Sequence, residues 1–142
     1  MPLEEQRVSH RLKLSSLWAS LTLCYIYCDY FELYQPGKLQ SMLSGTFGPL
    51  GPTSQTVLLA ASAMLAIPAL MIALCTVIPV KVCRAVNIVL GIVYTFIMLA
   101  VIPGAWAFYK MFAIIEISIS LSIAWLAYKW PRLQAARPPS AA

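Results

Sequence analysis

Three carboxylates interrupt the otherwise apolar stretches of this chain, and they are its strongest candidates for chemistry. Asp29 and Glu32 lie near the end of the first stretch, and Glu116 lies inside the last one. An ionised carboxylate is costly in hydrocarbon unless it has partners or water, so a carboxylate within a membrane span marks a functional site by default. Acids that lie close together could share a proton and couple it to a cationic solute, bind an amine or a metal ion, or act as a general acid.

Neighbouring side chains on the same helix faces are expected to complete a site with these acids. Asp29 and Glu32 are three residues apart and share a face, with Tyr25 one turn before Asp29. Glu116 belongs to a narrow arc of small and polar residues, and such a face is expected to point toward the other helices. The expected ligand-binding or proton-coupling residues are therefore Asp29, Glu32, Glu116, Tyr25, Tyr109 and Ser120.

Two lysines are expected to lie on the same side of the membrane as the acids. Lys38 and Lys110 could pair with the carboxylates and neutralise part of their charge. A purely structural interpretation stays open beside this one. In it, the two acids of the first stretch are solvated at a helix end, and Glu116 forms a hydrogen bond to a neighbouring tyrosine.

The composition indicates an integral membrane protein. Hydrophobic residues make up 61% of the chain and charged residues 11%, whereas soluble domains are roughly half apolar and a quarter charged. About 20 apolar residues are enough to cross a hydrocarbon core of about 30 Å. The apolar stretches predict an all-α fold, a four-transmembrane-helix bundle in up-down-up-down order, with spans at residues 14–34, 56–80, 85–105 and 110–129.

Basic residues predict the orientation of these spans, because they are retained on the cytoplasmic side of short loops. Eight of the ten lie in residues 1–13, 81–84 and 129–137, and only Lys38 and Lys110 fall elsewhere. We therefore expect a multi-pass protein of the cell inner (plasma) membrane with both termini in the cytoplasm. At about 1.5 Å per residue, the acids of the first and last spans then lie at similar depths toward the outer face. Anionic lipid headgroups account for the net charge of +5, which requires no nucleic acid as a partner.

The remaining segments divide the chain into one membrane domain and two flanks. Residues 1–13 are expected to be a cytoplasmic N-terminal segment, residues 14–130 the membrane domain, and residues 131–142 a disordered cytoplasmic tail. The glycine- and proline-rich loop at residues 35–55 is external in this arrangement. It could cap the outer mouth of the bundle, or only connect two helices whose outer ends are separated.

Polar and aromatic residues within the spans predict how the helices contact one another. Trp18 is expected at the cytoplasmic interface, where one end of the indole is apolar and the other can be hydrated. Asn87 and Tyr94 are expected to form hydrogen bonds between helices. Pro68 removes the hydrogen bond that the Met64 carbonyl would accept in a regular helix, and it therefore predicts a kink.

The sequence contains no signature of a redox, metal or haem site. The four cysteines form no CxxC pair, and none lies in the external loop, where disulfides persist. His10 is the only histidine, which disfavours a zinc site or a haem held by paired histidines. Phosphate-binding glycine motifs, Ser-His-Asp sets and HExxH are also missing. We therefore predict no cofactor and no bound metal.

The segment Leu14–Gly37, LSSLWASLTLCYIYCDYFELYQPG, resembles an uncharacterised bacterial family of small four-span membrane proteins. The resemblance continues through Ile67-Pro68, Arg84 to Gly91, and Glu116 with Trp125, and it covers most of the chain. It implies a four-helix bundle in a bacterial inner membrane. No activity is assigned to that family, so the resemblance implies no catalytic residues.

Three functions from different classes fit these observations. The first is a small protein that binds or transports a solute through an outward-facing acidic pocket. The second is an accessory or structural subunit of a larger membrane complex, and the third is a membrane enzyme that acts on a lipid through its carboxylates. We rank them in this order, so catalysis is not the expected activity. Because four helices enclose a narrow interior, a homo-oligomer or a membrane-protein partner is also expected within the lipid bilayer.

Overall fold

The computed structural model describes residues 8–48 and 51–131. Its helices are α1 (His10–Glu32), α2 (Lys38–Leu43), α3 (Gln55–Val77), α4 (Val80–Val101) and α5 (Ala107–Tyr128). No β-strand occurs in those two ranges, so the predicted all-α class is confirmed. Most of the expected disordered tail and the first seven residues of the expected N-terminal segment lie outside the described residues.

Three of the described helices, α3, α4 and α5, are long and apolar enough to cross a membrane. The first helix, α1, is of similar length at 23 residues, but it is not one of these three. It carries Arg11 and Lys13 near its start and Asp29 and Glu32 near its end. The three apolar helices are consistent with a membrane protein, and the fourth span stays a prediction.

The turn between α3 and α4 is shorter than the sequence predicted. Because α3 ends at Val77 and α4 begins at Val80, only Ile78 and Pro79 connect them. Pro79 has a φ of −56°, and a proline is well suited to the start of a helix, where its missing N–H would have no helical partner. Residues 81–84, which were expected in a loop, therefore lie in the first turns of α4.

Two arginines link the start of one helix to the end of its antiparallel neighbour. In the packing, α1 lies against both α3 and α5, and α4 lies against α5. Arg11 of α1 donates to the Cys75 and Thr76 carbonyls at the end of α3, at 3.2 and 2.9 Å. Arg84 of α4 donates in the same way to two carbonyls at the end of α5. The last carbonyls of a helix lack intrahelical donors and form the negative end of its dipole, so a guanidinium group stabilises them.

Trp18 and Asn87 form a polar centre in the core at this end of the helices. The Trp18 Nε1 donates to the Asn87 Oδ1 at 2.7 Å, and the Asn87 Nδ2 donates to the Cys83 carbonyl at 2.7 Å. Both side chains are fully buried. The expected interfacial position of Trp18 is therefore wrong, because Asn87 supplies an acceptor inside the protein and the indole loses no hydrogen bond on burial. The predicted interhelical role of Asn87 is confirmed.

Tyr94 makes the second predicted hydrogen bond between helices. Its hydroxyl donates to the Met64 carbonyl at 2.6 Å. That carbonyl is the one that loses its helical donor, because Pro68 lies inside α3 and has no N–H. The bond links α4 to α3 beside a cavity that both Tyr94 and Met64 line.

Candidate functional site

A cavity of about 660 Å³ lies among the four long helices, at the end where α1 finishes and α5 begins. Its lining is mostly apolar and aromatic, with contributions from α1, α3, α4 and α5. The segment after α1 adds Lys38, Met42, Phe47 and Gly48. The loop therefore forms part of the cavity wall, which favours the capping role over that of a simple connection.

Glu116 is the most deeply buried acid of this cavity. Its exposure is 2%, and its Oε1 has no hydrogen-bond partner among the residues that the structure describes. The small residues Ala113 and Ser120, one turn to either side, are fully buried and allow this face of α5 to pack closely. Buried polar groups are normally hydrogen-bonded, so an unpartnered carboxyl on a residue that lines a cavity is a candidate binding group.

Tyr25 brings a second unpartnered group to the same cavity. It is 7% exposed, and its hydroxyl accepts and donates no hydrogen bond within the described part of the chain. Its ring packs against that of Tyr94 with centroids 6.2 Å apart, which restrains the orientation of the phenol. The structural alternative in which Tyr25 holds Glu116 by a hydrogen bond is therefore not observed. A phenol can both donate and accept, so this hydroxyl can serve a ligand of either kind.

The two acids of α1 have different surroundings. Glu32 Oε1 accepts from Lys38 Nζ at 2.5 Å, and this ion pair joins the end of α1 to α2. Its side chains are 29% and 20% exposed, respectively, and an ion pair of that exposure contributes about 0–1 kcal/mol. Asp29 also lines the cavity but is exposed. Glu32 thus has a charge partner, whereas Asp29 has none among the described residues.

The remaining expected site residues are divided between the cavity and other positions. Tyr109 is half-buried and lines the cavity. Ser120 is fully buried but is not part of the lining, and its hydroxyl donates to the main-chain oxygen of Glu116 at 2.8 Å. Lys110 is exposed, and it forms no ion pair with any residue in the two described ranges. The cavity therefore brings together five of the six expected binding residues and one of the two expected lysines.

Several lining residues were not assigned to the site from the sequence. Tyr94 and Met98 come from α4, and Phe47 comes from the loop. In a sequence this apolar, no pattern separates a cavity-lining side chain from one that faces lipid. Pro68 is the one feature of the sequence that could have pointed to Tyr94. It leaves the Met64 carbonyl without a helical donor, and the Tyr94 hydroxyl donates to that carbonyl at the cavity wall.

The electrostatics of the lining are unbalanced. Three carboxyl groups, those of Asp29, Glu32 and Glu116, share the cavity with the single ammonium group of Lys38 among the described lining residues. In the same described residues, no group of three or more His, Cys, Asp or Glu side chains could hold a metal ion. The arrangement is suited to a ligand that donates hydrogen bonds or carries positive charge.

The cavity and the five described helices lie within the part of the chain that matches a known family. The profile of that family covers residues 1–136. The chain belongs to the family of unknown function DUF6326. The expectation of an uncharacterised family is therefore confirmed, whereas its four spans and bacterial origin remain predictions.

Membership of DUF6326 supplies no activity and no site residues for this chain. No curated protein and no solved structure matches it. The function of this family member therefore has to be argued from the cavity itself.

Proposed function

We propose that this protein is a multi-pass membrane protein that binds a small solute in its acidic cavity. The observation that carries the proposal is the buried Glu116 carboxyl, whose Oε1 is unpartnered among the described residues and which lines the cavity. Ligand sites are typically cavities of about 300–1,000 Å³, mostly apolar, with a few polar groups that fix the orientation of the ligand. The cavity volume of about 660 Å³ and its lining agree with that description.

In this proposal α1 is a fourth span beside α3, α4 and α5. Its packing against α3 and α5 supports the assignment, because it shares a core with two helices that are apolar enough to cross a membrane. The basic residues near the starts of α1 and α4 then face the cytoplasm. The cavity, at the opposite end of these helices, opens toward the outer face.

Binding is better supported than passage of the solute through one protomer. The half of the protein beyond the cavity is filled by the buried Trp18, Asn87 and Cys75 side chains. Trp18 and Asn87 are also tied together by their 2.7 Å hydrogen bond. Transport would require the Trp18–Asn87 contact to open, so we propose binding of the solute and not its transport.

An accessory-subunit function remains the second candidate. The observation that favours it is the exposed aromatic surface at the end of α1, where Tyr30, Phe31 and Tyr34 lie side by side. Exposed aromatic clusters are typical of interfaces between proteins. In this second function a partner protein covers that surface, and the acids have a structural role only.

Native mass spectrometry of the tagged protein, extracted from its own membranes in mild detergent, tests the proposal. We expect a reproducible non-lipid small-molecule adduct on the wild-type protein. Ala61→Phe should remove it, because Ala61 lines the cavity, whereas Ala63→Phe should retain it, because Ala63 lies on the same helix outside the lining. Equal adducts on both variants, or a stoichiometric protein partner with no adduct, would contradict solute binding. The second of these results would favour the subunit function.

A further inference from the structure

The charges of the cavity do not cancel. Lys38 is the single basic residue of the described lining, and it is already paired with Glu32 at 2.5 Å. Asp29 and Glu116 therefore face the cavity without a basic partner among the described residues. A ligand with positive charge would balance this excess, whereas an anion would add to it.

Asp29 and Glu116 differ in how deeply they are buried, and they therefore contribute differently to binding. Asp29 is exposed in the last turn of α1, so its charge depends less on a ligand. Glu116 is 2% exposed, and an isolated charge there is strongly disfavoured unless it is paired and hydrogen-bonded. The gain from a cationic partner is therefore concentrated at Glu116.

Tyr25 offers a second contact to the same ligand group. Tyr25, whose buried hydroxyl has no partner in the described chain, lines the cavity together with Glu116. An ammonium group carries several N–H donors, so it can satisfy the Glu116 carboxylate and the Tyr25 oxygen together. The rings of Tyr25, Tyr94 and Tyr109 add aromatic faces, which attract cations.

The apolar part of the lining indicates what the uncharged part of the ligand should be. Side chains such as Met64, Leu65, Ile97 and Met98 present apolar surface and no charge. These apolar walls offer a strongly hydrated small cation no oxygen atoms to replace the water that it would lose there. An organic cation with an apolar body loses less water and buries its hydrocarbon against these walls.

We propose that the ligand of this cavity is a protonated organic amine with an apolar body, held by Glu116 and Tyr25. This inference rests on the proposed solute-binding function and adds the chemical class of the solute. Recognition depends on the charge of the head group, so a neutral analogue of the same shape binds more weakly.

Calorimetric titration of the full-length protein in detergent at neutral pH, with three matched probes, tests this inference. The probes are 4-phenylbutylamine, 4-phenylbutan-1-ol and 4-phenylbutyrate, which are cationic, neutral and anionic at that pH. We expect the amine to bind at least tenfold more tightly than the alcohol, and the carboxylate to show no binding. This comparison uses the wild-type protein alone, so it does not depend on whether a variant folds.

Variants then assign the effect to Glu116. Glu116→Gln should weaken amine binding at least tenfold and change alcohol binding less than twofold. Ser118→Ala, at an exposed residue of the same helix outside the lining, is the control and should change neither affinity. Tyr25→Phe should weaken binding of the amine more than binding of the alcohol. If Glu116→Gln does not fold, as judged by its thermal unfolding, Glu116→Asp retains the charge and should keep the preference for the amine.

Two results would overturn the inference. The first is that the amine and the alcohol bind with equal affinity and that Ala61→Phe abolishes the binding of both. The cavity would then bind solutes without recognising their positive charge. Failure of all three probes to bind the wild-type protein would also reject the amine class, and the native mass measurement would then decide separately whether the cavity binds another solute.

Discussion

The Tyr94 hydroxyl donates to the Met64 carbonyl at 2.6 Å, at the position where Pro68 leaves that oxygen without its helical donor. The hydrogen bond thus repairs a defect in α3 with a side chain from α4. An unsatisfied carbonyl away from water costs about 1–3 kcal/mol, so this contact links the proline to the packing of the cavity wall.

Tyr94→Phe is expected to destabilise the protein by about 1–2 kcal/mol, since it leaves the Met64 carbonyl unpartnered. Pro68→Ala restores an N–H to the helix and gives that carbonyl a second donor. The loss caused by Tyr94→Phe should therefore be smaller in the Pro68→Ala background. A double-mutant cycle of unfolding free energies in detergent measures this coupling, and purely additive effects would contradict it.

Asn87→Ala is expected to destabilise the protein by about 1–3 kcal/mol, because Trp18 Nε1 then has no acceptor in a fully buried position. Replacing Trp18 by Phe as well removes the orphaned donor. The double variant should therefore be destabilised by less than the sum of the two single variants. Unfolding midpoints of the four proteins test this prediction. Circular dichroism is the suitable probe, and not tryptophan fluorescence, because two of the variants lack Trp18.

Gly91→Ala is expected to separate α4 from α5. A Cβ at Gly91 would lie 2.8 Å from the Ser120 carbonyl oxygen and 3.0 Å from the Ala124 main-chain nitrogen, and backbone atoms cannot move aside cheaply. Overpacking of this kind costs about 1–3 kcal/mol. Thermal unfolding should show the loss, while Val93→Ile, which adds one carbon on the exposed face of α4, should have little effect. Equal stability of both variants would mean that the two helices are not in this close contact.

The sequence contains enough information to predict the helices, and part of their contacts. Apolar length identifies the three membrane-compatible helices, and the isolated polar residues Asn87 and Tyr94 form the expected interhelical bonds. These predictions succeed because a polar group in an apolar helix has to find a partner on another helix. Such a prediction can be made without knowing which helix supplies the partner.

Positions that depend on the partner helix could not be predicted in the same way. The sequence predicts Trp18 at the interface because one end of the indole is apolar and the other can be hydrated. The structure instead buries it against Asn87, 69 residues further along the chain, which accepts its hydrogen bond. Ser120 shares a helix face with Glu116, but its hydroxyl bonds to the main chain and Gly91 of α4 lies against its turn. A single sequence predicts which face of each helix packs against its neighbours, but it does not predict how closely two helices approach.

The Lys38–Glu32 ion pair is expected to hold the loop over the cavity. Lys38 lies at the start of α2, and the same loop supplies Met42 and Phe47 to the cavity wall. Breaking a partly exposed pair costs about 0–1 kcal/mol, so Lys38→Met should leave unfolding of the whole protein nearly unchanged. Opening of the loop alone should become more frequent, because the pair is its side-chain tie to the end of α1.

Hydrogen–deuterium exchange measures this opening directly. Peptides that cover residues 38–48 should exchange several-fold faster in Lys38→Met and in Glu32→Gln, and the double variant should show no further increase, because both changes remove the same contact. The charge-reversed pair, Glu32→Lys with Lys38→Glu, should restore slow exchange. Lys110→Met is the matched control, since Lys110 forms no ion pair in the described chain. Equal exchange in the wild-type protein and all five variants would show that the loop is held by its apolar contacts and not by the ion pair.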